Sequence, residues 1–396
     1  MKKIFMKLSV ITIACLFAMI SLFGCQFIDK NEESHKQDEK QEEIQKEIEQ
    51  AVVTLTDFNG VVPLMSDKYS DYLKNDYWDI KNEGAEYSYG KVDLGYSIDF
   101  SEGYRGKNLY LYISEKPDMT DKTELTRVSV SGKETGSYTV YNLSFGTTYY
   151  WQAKLVYVEV GQTEEKTFET DIHSFVTDDA IPHTYYVDGV TNVRELGGYP
   201  TNDGKTVKSG MLFRSGKLNN ISYAGLETYS NLMKIKTEID LRIENDPLPS
   251  IPGVNYIYCG MNSSTTNEHF PNGKSWNGQS CYITFNIDAI KMFFEALADE
   301  SNYPINYHCS IGTDRTGVVS FLIEALLDVK EEWIYRDYLL SNYAKIDEYS
   351  RTVSHITSYI NLLSAKATGD SLSEKTYNYL NKVVGVSTQD LDKIIS

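Results

Sequence analysis

Two hydrophobic periods divide this chain, and the change between them limits the available folds more than any other feature. From residue 51 to 178 the runs VDLGYSIDF, KNLYLYISE, LTRVSV, SYTVYNL, TYYWQAKLVYVE and KTFETDIHSFVT alternate apolar with polar residues. They are rich in Tyr, Val, Thr and Phe, and turns of Gly, Asp, Ser and Lys separate them. Regular spacing with no helical pattern between them predicts an all-β sandwich over 51–178. After the connection DDAIPHTYYVDGV the period changes. IKTEIDLR (235–242) and YPINYHC (303–309) read as short apolar strands. IDAIKMFFEALADE (287–300), TGVVSFLIEALLDV (316–329) and KEEWIYRDYLLSNY (330–343) have helical spacing. Strands alternating with helices predict an α/β domain over 187–396, with a mainly parallel sheet flanked by helices. Ligands of such sheets bind at the carboxyl ends of the strands.

A chain of 396 residues has room for two such domains, each with a core. Its formal net charge of −18 excludes a nucleic-acid binder, which needs a basic face against phosphates. The same charge disfavours loose attachment to anionic lipid. The first residues offer another device. Lys2, Lys3 and Lys7 accompany LSVITIACLFAMISLF, an apolar run of 16 residues that ends in the box LFGC, Leu22 to Cys25. This resembles a bacterial lipoprotein signal. The resemblance implies a signal peptide over 1–24, lipid on Cys25, and a place on the extracytoplasmic face of the bacterial membrane. Phe23 departs from the small residue commoner in that box. An ordinary secretory signal or an uncleaved anchor would use the same run, although 16 residues span a bilayer poorly. Residues 25–50 are dense in Glu, Gln and Lys and read as a solvated tether.

Of the five cysteines, Cys15 lies in the apolar run and Cys25 in the lipidation box. Cys259, Cys281 and Cys309 remain, so at least one thiol is free in the folded part. Cys259 and Cys281 either pair or are simply buried. Within the β half, LSFGTTYYWQAKL resembles the corner between strands E and F of fibronectin type III-like domains, which implies that Tyr149 or Tyr150 ties the corner down. An unrelated β domain would alternate in the same way. No catalytic constellation occurs there, so this half reads as a spacer or as a module that docks an unknown partner.

HCSIGTDRTG, His308 to Gly317, stands between a predicted strand and a predicted helix. A glycine-rich turn around a buried thiol would account for it structurally. A nucleotide-binding loop would not, because Val318 and Val319 follow Gly312 and Gly317 where Lys and Ser/Thr are needed. The third reading is a phosphate-attacking loop with Cys-x5-Arg spacing, Cys309 to Arg315. Backbone N–H groups of Ser310, Ile311, Gly312, Thr313, Asp314, Arg315 and Thr316 would converge with the positive end of the helix on one anion. That field favours the thiolate of Cys309, the nucleophilic form. Arg315 offers a planar fork for two phosphate oxygens. Thr316 can stand beside the thiolate and assist its departure. Gly312 and Gly317 let the backbone come close.

The region 187–396 resembles the bacterial protein tyrosine/serine phosphatases of the Cys-x5-Arg superfamily. VTNVRELGGYP (190–200), KSGMLFRSGKL (208–218), IKTEIDLR, HCSIGTDRTG, DYLLSN (337–342) and GVSTQDLDKI (385–394) occur in the family's order. The resemblance implies that Cys309 is the nucleophile of a phosphocysteine intermediate and Arg315 the phosphate clamp. It favours Asp314 as proton donor, with Asp246 of RIENDPLP as the rival. It implies that Asp240 pairs with the loop arginine, and that His308 stabilises the loop. Arg214 and Arg242 would add positive charge near the pocket, unless they face solvent. Asn192 and Arg194 belong to a signature read as structural. His269 and His355 have no metal-ligand spacing, and neither metal nor cofactor is expected. The implied activity is hydrolysis of phosphotyrosine, with phosphoserine and phosphothreonine as further classes. The partner is then a phosphorylated protein, or a phosphorylated small molecule or lipid head group. Two rivals stand beside it: an inositol-phosphate or phosphoinositide phosphatase, and an inactive phosphate-binding or adhesion protein. Thr313 replaces the lysine common in relatives that act on phosphoinositides, which weakens the lipid reading.

Overall fold

A computed structural model describes residues 50–65, 67–74, 89–243, 247–262, 280–344 and 350–396. The signal peptide at 1–24, the tether with Cys25, Asp246, His269 and the side chain of Cys281 lie outside the described residues. All six alternating runs become strands. Strands β1 (Ala51–Leu55), β3 (Lys91–Phe100) and β6 (Glu134–Tyr141) form one sheet, in the order β1-β3-β6. The other sheet follows the order β2-β9-β7-β4-β5, from β2 (Val61–Val62), β9 (His173–Thr177), β7 (Thr148–Glu159), β4 (Tyr104–Ser114) and β5 (Thr123–Ser129). Strand β8 (Glu165–Glu169) pairs with β7, so the last run divides in two. Inward residues of both sheets, among them Leu94, Ile98, Leu109, Leu111, Trp151 and Leu155, share one buried core. Because successive side chains point to opposite faces, Tyr149 is buried and its neighbour Tyr150 only half-buried. The Tyr149 hydroxyl accepts the Ser144 N–H at 2.9 Å, which ties that corner.

One segment departs from the expected division. Helix α1 (Asp67–Lys74) falls inside the β range, but Tyr69 and Tyr72 belong to the core of the C-terminal region. The Tyr69 ring meets Tyr343 edge-on at 4.9 Å, and Arg336 Nη1 donates to the Tyr72 carbonyl at 3.0 Å. The boundary 51–178 is therefore not a packing boundary. A helix of only eight residues is too short a run to show from the sequence which core it joins.

The C-terminal region holds a sheet in the order β10-β11-β14-β12-β13. Strands β11 (Leu212–Ser215), β12 (Thr237–Asp240), β13 (Asn255–Tyr258) and β14 (Ile305–His308) run parallel. The short edge strand β10 (Arg194–Glu195) is antiparallel to β11. One face, with Leu212, Ile239, Ile305 and Tyr307, packs in a large core with α3 (Ser280–Phe285), α4 (Ile287–Leu297), α5 (Asp314–Leu326), α6 (Glu331–Leu340) and α7 (Val353–Lys366). Helices α8 (Leu372–Tyr379) and α9 (Thr388–Ile395) complete that layer. The other face puts Phe213 against Tyr229, Met233 and Ile251 in a smaller core, with Leu226 of helix α2 (Tyr223–Glu227) packed against it. Each predicted helix appears, with its carboxyl end three residues earlier than the periodicity alone would place it.

Candidate active site

Strand β14 delivers Cys309 and the loop after it to the carboxyl edge of the sheet, directly before α5. Cys309 is a free thiol, 2% exposed. The loop's carbonyls are bonded away from the helix axis. Ser310 O accepts the Lys217 N–H at 3.1 Å, and Ile311 O accepts Asn192 Nδ2 at 3.2 Å. Gly312 O accepts Asn192 Nδ2 at 3.0 Å and Arg214 Nη2 at 2.8 Å. The N–H groups of Ser310, Ile311, Gly312, Thr313, Arg315 and Thr316 make no hydrogen bond to any described residue. Buried amides are rarely left without acceptors, and at a helix N-terminus these form a nest for an anion. Gly312 has φ +72°, and a Cβ there would stand 2.5 Å from the Ser215 carbonyl, so only glycine fits.

Arg315 donates through Nη2 to Ser310 Oγ at 3.1 Å and through Nη1 to the Leu241 carbonyl at 3.5 Å. Asp240 does not pair with it, which corrects the expectation. Instead Arg242 turns back over Asp240, two residues before it, with Nη2–Oδ2 at 2.8 Å and Nε–Oδ1 at 3.0 Å. The Tyr256 hydroxyl donates to the same carboxylate at 3.2 Å. Burial opposes the charge of Asp240, but Arg242 and His308 hold its carboxyl below the ordinary range. A strand-end aspartate meets the first donor its own turn supplies, and that donor is local.

Asp314 opens α5 and is held by Arg351 on both oxygens, Nε–Oδ1 at 3.0 Å and Nη2–Oδ2 at 3.1 Å. Arg351 in turn is docked on Asn342 by its own backbone. His308 is buried, with Nε2 at 3.0 Å from Glu238 Oε1 and Nδ1 at 3.4 Å from the Cys309 carbonyl, so it links β12 to the start of the loop. Thr316 is fully buried, and its hydroxyl bonds to no described residue, Cys309 included. His355 serves the capping box of α7, and burial lowers its pKa.

Arg214 and Arg242 were expected to add free charge near the pocket. Both are buried and paired. Arg214 Nη1 meets Asp337 Oδ2, and Arg194 Nε meets Asp337 Oδ1 at 2.7 Å, where the Tyr199 hydroxyl also donates at 3.0 Å. Burial works against a charge on Asp337, yet the two arginines lower its pKa to about 2. Glu324 lies fully buried beside it, and that burial and the neighbouring carboxylate push its carboxyl well upward. Cys259, at the end of β13, is the contrasting thiol: burial, with Asp240 nearby, pushes it up to about 12.

Several of these residues escaped the sequence. Asp337 stood in DYLLSN, but nothing in that run tells a loop support from a helix face. Tyr199 and Glu324 look like core and surface. Arg351 carries no motif at all, because its partner is 37 residues away.

Comparison with known proteins agrees with this geometry. Residues 185–396 match the tyrosine phosphatase family, and the chain belongs to that family. A Cupriavidus necator protein whose name assigns it provisionally to the tyrosine-protein phosphatases is 25% identical over 174 residues. That alignment takes in 40% of this chain and 63% of the relative, so the chain spans just under two thirds of the relative's length. Among solved structures, the core catalytic domain of the PP-IP phosphatase SIW14 from S. cerevisiae, in complex with citrate, is 16% identical, with a TM-score of 0.27 over 41% of this chain and 83% of that one. A sensor domain of the anti-sigma factor RsgI4 of Pseudobacteroides cellulosolvens is 12% identical, with a TM-score of 0.21 over 34% of this chain and 99% of that one.

Proposed function

We propose that this phosphatase hydrolyses phosphotyrosine, with phosphoserine and phosphothreonine as further substrates, through a phosphocysteine intermediate. The observation that carries the reading is the loop itself: six amides without acceptors surround the start of a helix that Cys309 precedes. The Cys309 thiolate attacks phosphorus and the ester P–O bond breaks. Arg315 leaves Ser310 Oγ to clamp two phosphate oxygens, where its fork matches the charge that builds up in the transition state. Asp314 protonates the leaving oxygen, which requires Arg351 to release one carboxylate oxygen. Water then attacks the phosphocysteine, its proton passes to Asp314, and the S–P bond breaks to give inorganic phosphate and the thiolate.

The N-terminal sequence supports export and lipid attachment at Cys25, on the extracytoplasmic face of the membrane. The Tyr149 corner supports a fibronectin type III-like reading of the β half, as a module that docks a partner. The decisive assay measures phosphate release from phosphotyrosine and phosphoserine peptides, a phosphoinositide and an inositol phosphate, with a chelator present. Wild type should favour phosphotyrosine, and Cys309→Ser should lose activity by at least about a thousand-fold. Equal rates for the two proteins would sink the mechanism. Preference for a multiply phosphorylated inositol would replace the substrate.

A further inference from the structure

Resting on this phosphate-binding reading, we infer that Arg214 and Asn192 are positioning residues that fix which way the peptide planes of the loop face, and that Asp337 sets both of them. In a trans peptide the C=O and the following N–H point in opposite directions. The bond from Lys217 N–H to Ser310 O therefore turns the Ile311 N–H inward. Asn192 on Ile311 O does the same for the Gly312 N–H, and Arg214 with Asn192 on Gly312 O for the Thr313 N–H. These three amides are among those without an acceptor in the described residues.

The device answers a weakness that the loop cannot avoid. Sterics demand glycine at 312, with φ +72° and Ser215 at 2.5 Å from any Cβ. Glycine populates both signs of φ, so its flanking peptides flip at little cost. A flipped Gly312–Thr313 peptide would turn a carbonyl oxygen toward a phosphate dianion and remove a donor. Arg214 prevents this from a fixed base, because its Nη1 is held by Asp337. Asn192 is fixed through the same carboxylate, since Arg194 bonds Asp337 Oδ1 at 2.7 Å and donates from Nη1 to Asn192 Oδ1. Asn192, Arg194 and Arg214 are fully buried and Asp337 is 1% exposed, so water does not compete for these bonds. Arg214 thus acts on substrate through the loop and not by its own charge.

Asn192→Gly is the cleanest variant. Asn192 has φ +61°, which glycine adopts freely, so the amide is removed without straining the backbone. Arg214→Lys keeps the charge on Asp337 but cannot hold both acceptors. Inorganic phosphate is the probe, read through the amide NMR shifts of Ile311, Gly312 and Thr313, with kcat/KM measured alongside. Each variant should weaken phosphate binding by about ten-fold and kcat/KM by about a hundred-fold, as loss of one oxyanion donor does. The dependence of rate on leaving-group acidity should stay as in wild type, since Asp314 is untouched. Phe293→Leu, in the core against Tyr307 of β14 but outside this set of polar bonds, controls for lost stability and should bind phosphate as wild type does. Wild-type binding by Asn192→Gly, or equal losses in Phe293→Leu, would overturn the assignment, and Asn192→Gly decides alone if Arg214→Lys does not fold. A wild type that binds phosphate but hydrolyses no ester would overturn the proposed function and leave this inference standing.

Discussion

The two halves of the molecule bury different things. Among the described residues the β half buries Ser114, Thr170 and Thr177 as its polar side chains, and no charged one. The C-terminal half buries Arg194, Arg214, Glu238, Asp240, Glu324, Arg336, Asp337 and Arg351. Removing a charge from water costs several kcal/mol unless it is paired, and a well-packed apolar core of equal volume is often more stable. The excess in one half is therefore not explained by stability. It follows the loop: Arg194, Arg214 and Asp337 stand behind it, and Asp240 and Arg351 flank it. Shape is specified by apolar burial in one half and by directed polar bonds in the other.

Glycines give the harshest test of that contrast. Gly312→Ala should lower kcat/KM by on the order of a thousand-fold, because its Cβ meets backbone at 2.5 Å and φ is positive. Gly132→Ala in the β half, where a Cβ meets nothing within 4 Å, should shift stability by less than about 0.5 kcal/mol and leave activity unchanged. Comparable losses in the two would break the distinction. Next in size is Asp337→Asn, which removes the carboxylate that pairs two buried guanidinium groups and should cost about 3–5 kcal/mol in denaturant unfolding. Its pH dependence has a definite sign. The folded pKa of Asp337, about 2, lies below its ordinary value. Its contribution is thus complete above the ordinary carboxylate range and disappears as pH falls through about 2. The variant's deficit should shrink over that window, and a deficit constant in pH would contradict the assigned charge. Smaller than either loss, and above only the Gly132→Ala control, is that of Tyr149→Phe, which removes the bond from the Ser144 N–H and a 3.4 Å bond to Glu115 and should cost about 1 kcal/mol with no change in kcat/KM.

Strands β13 and β14 show how much was legible beforehand. Each is followed by a cysteine, yet Cys259 is pushed up to about 12 by its burial, whereas Cys309 opens the loop before α5. The spacing from Cys309 to Arg315 and the helix after it were readable, because both are local. So were the β runs and strands β12 and β14, whereas β11 and β13, four residues each, were not read as strands. Helix α1 was not, since its tyrosines pack against residues more than 250 positions away. Asp240 misled because its pairing was taken from the family resemblance, while its own turn supplied Arg242 first.

By itself the sequence determined the β period of one half, the strand–loop–helix order of the other, and the thiol and guanidinium that one loop brings together. These are properties of neighbouring residues, fixed by backbone geometry and short-range sterics. Only the tertiary structure decided which carboxylate holds which arginine. Asp337 lies 143 residues from Arg194 and 123 from Arg214, and a charge buried that far along the chain finds its partner only when the sheet and helices have assembled.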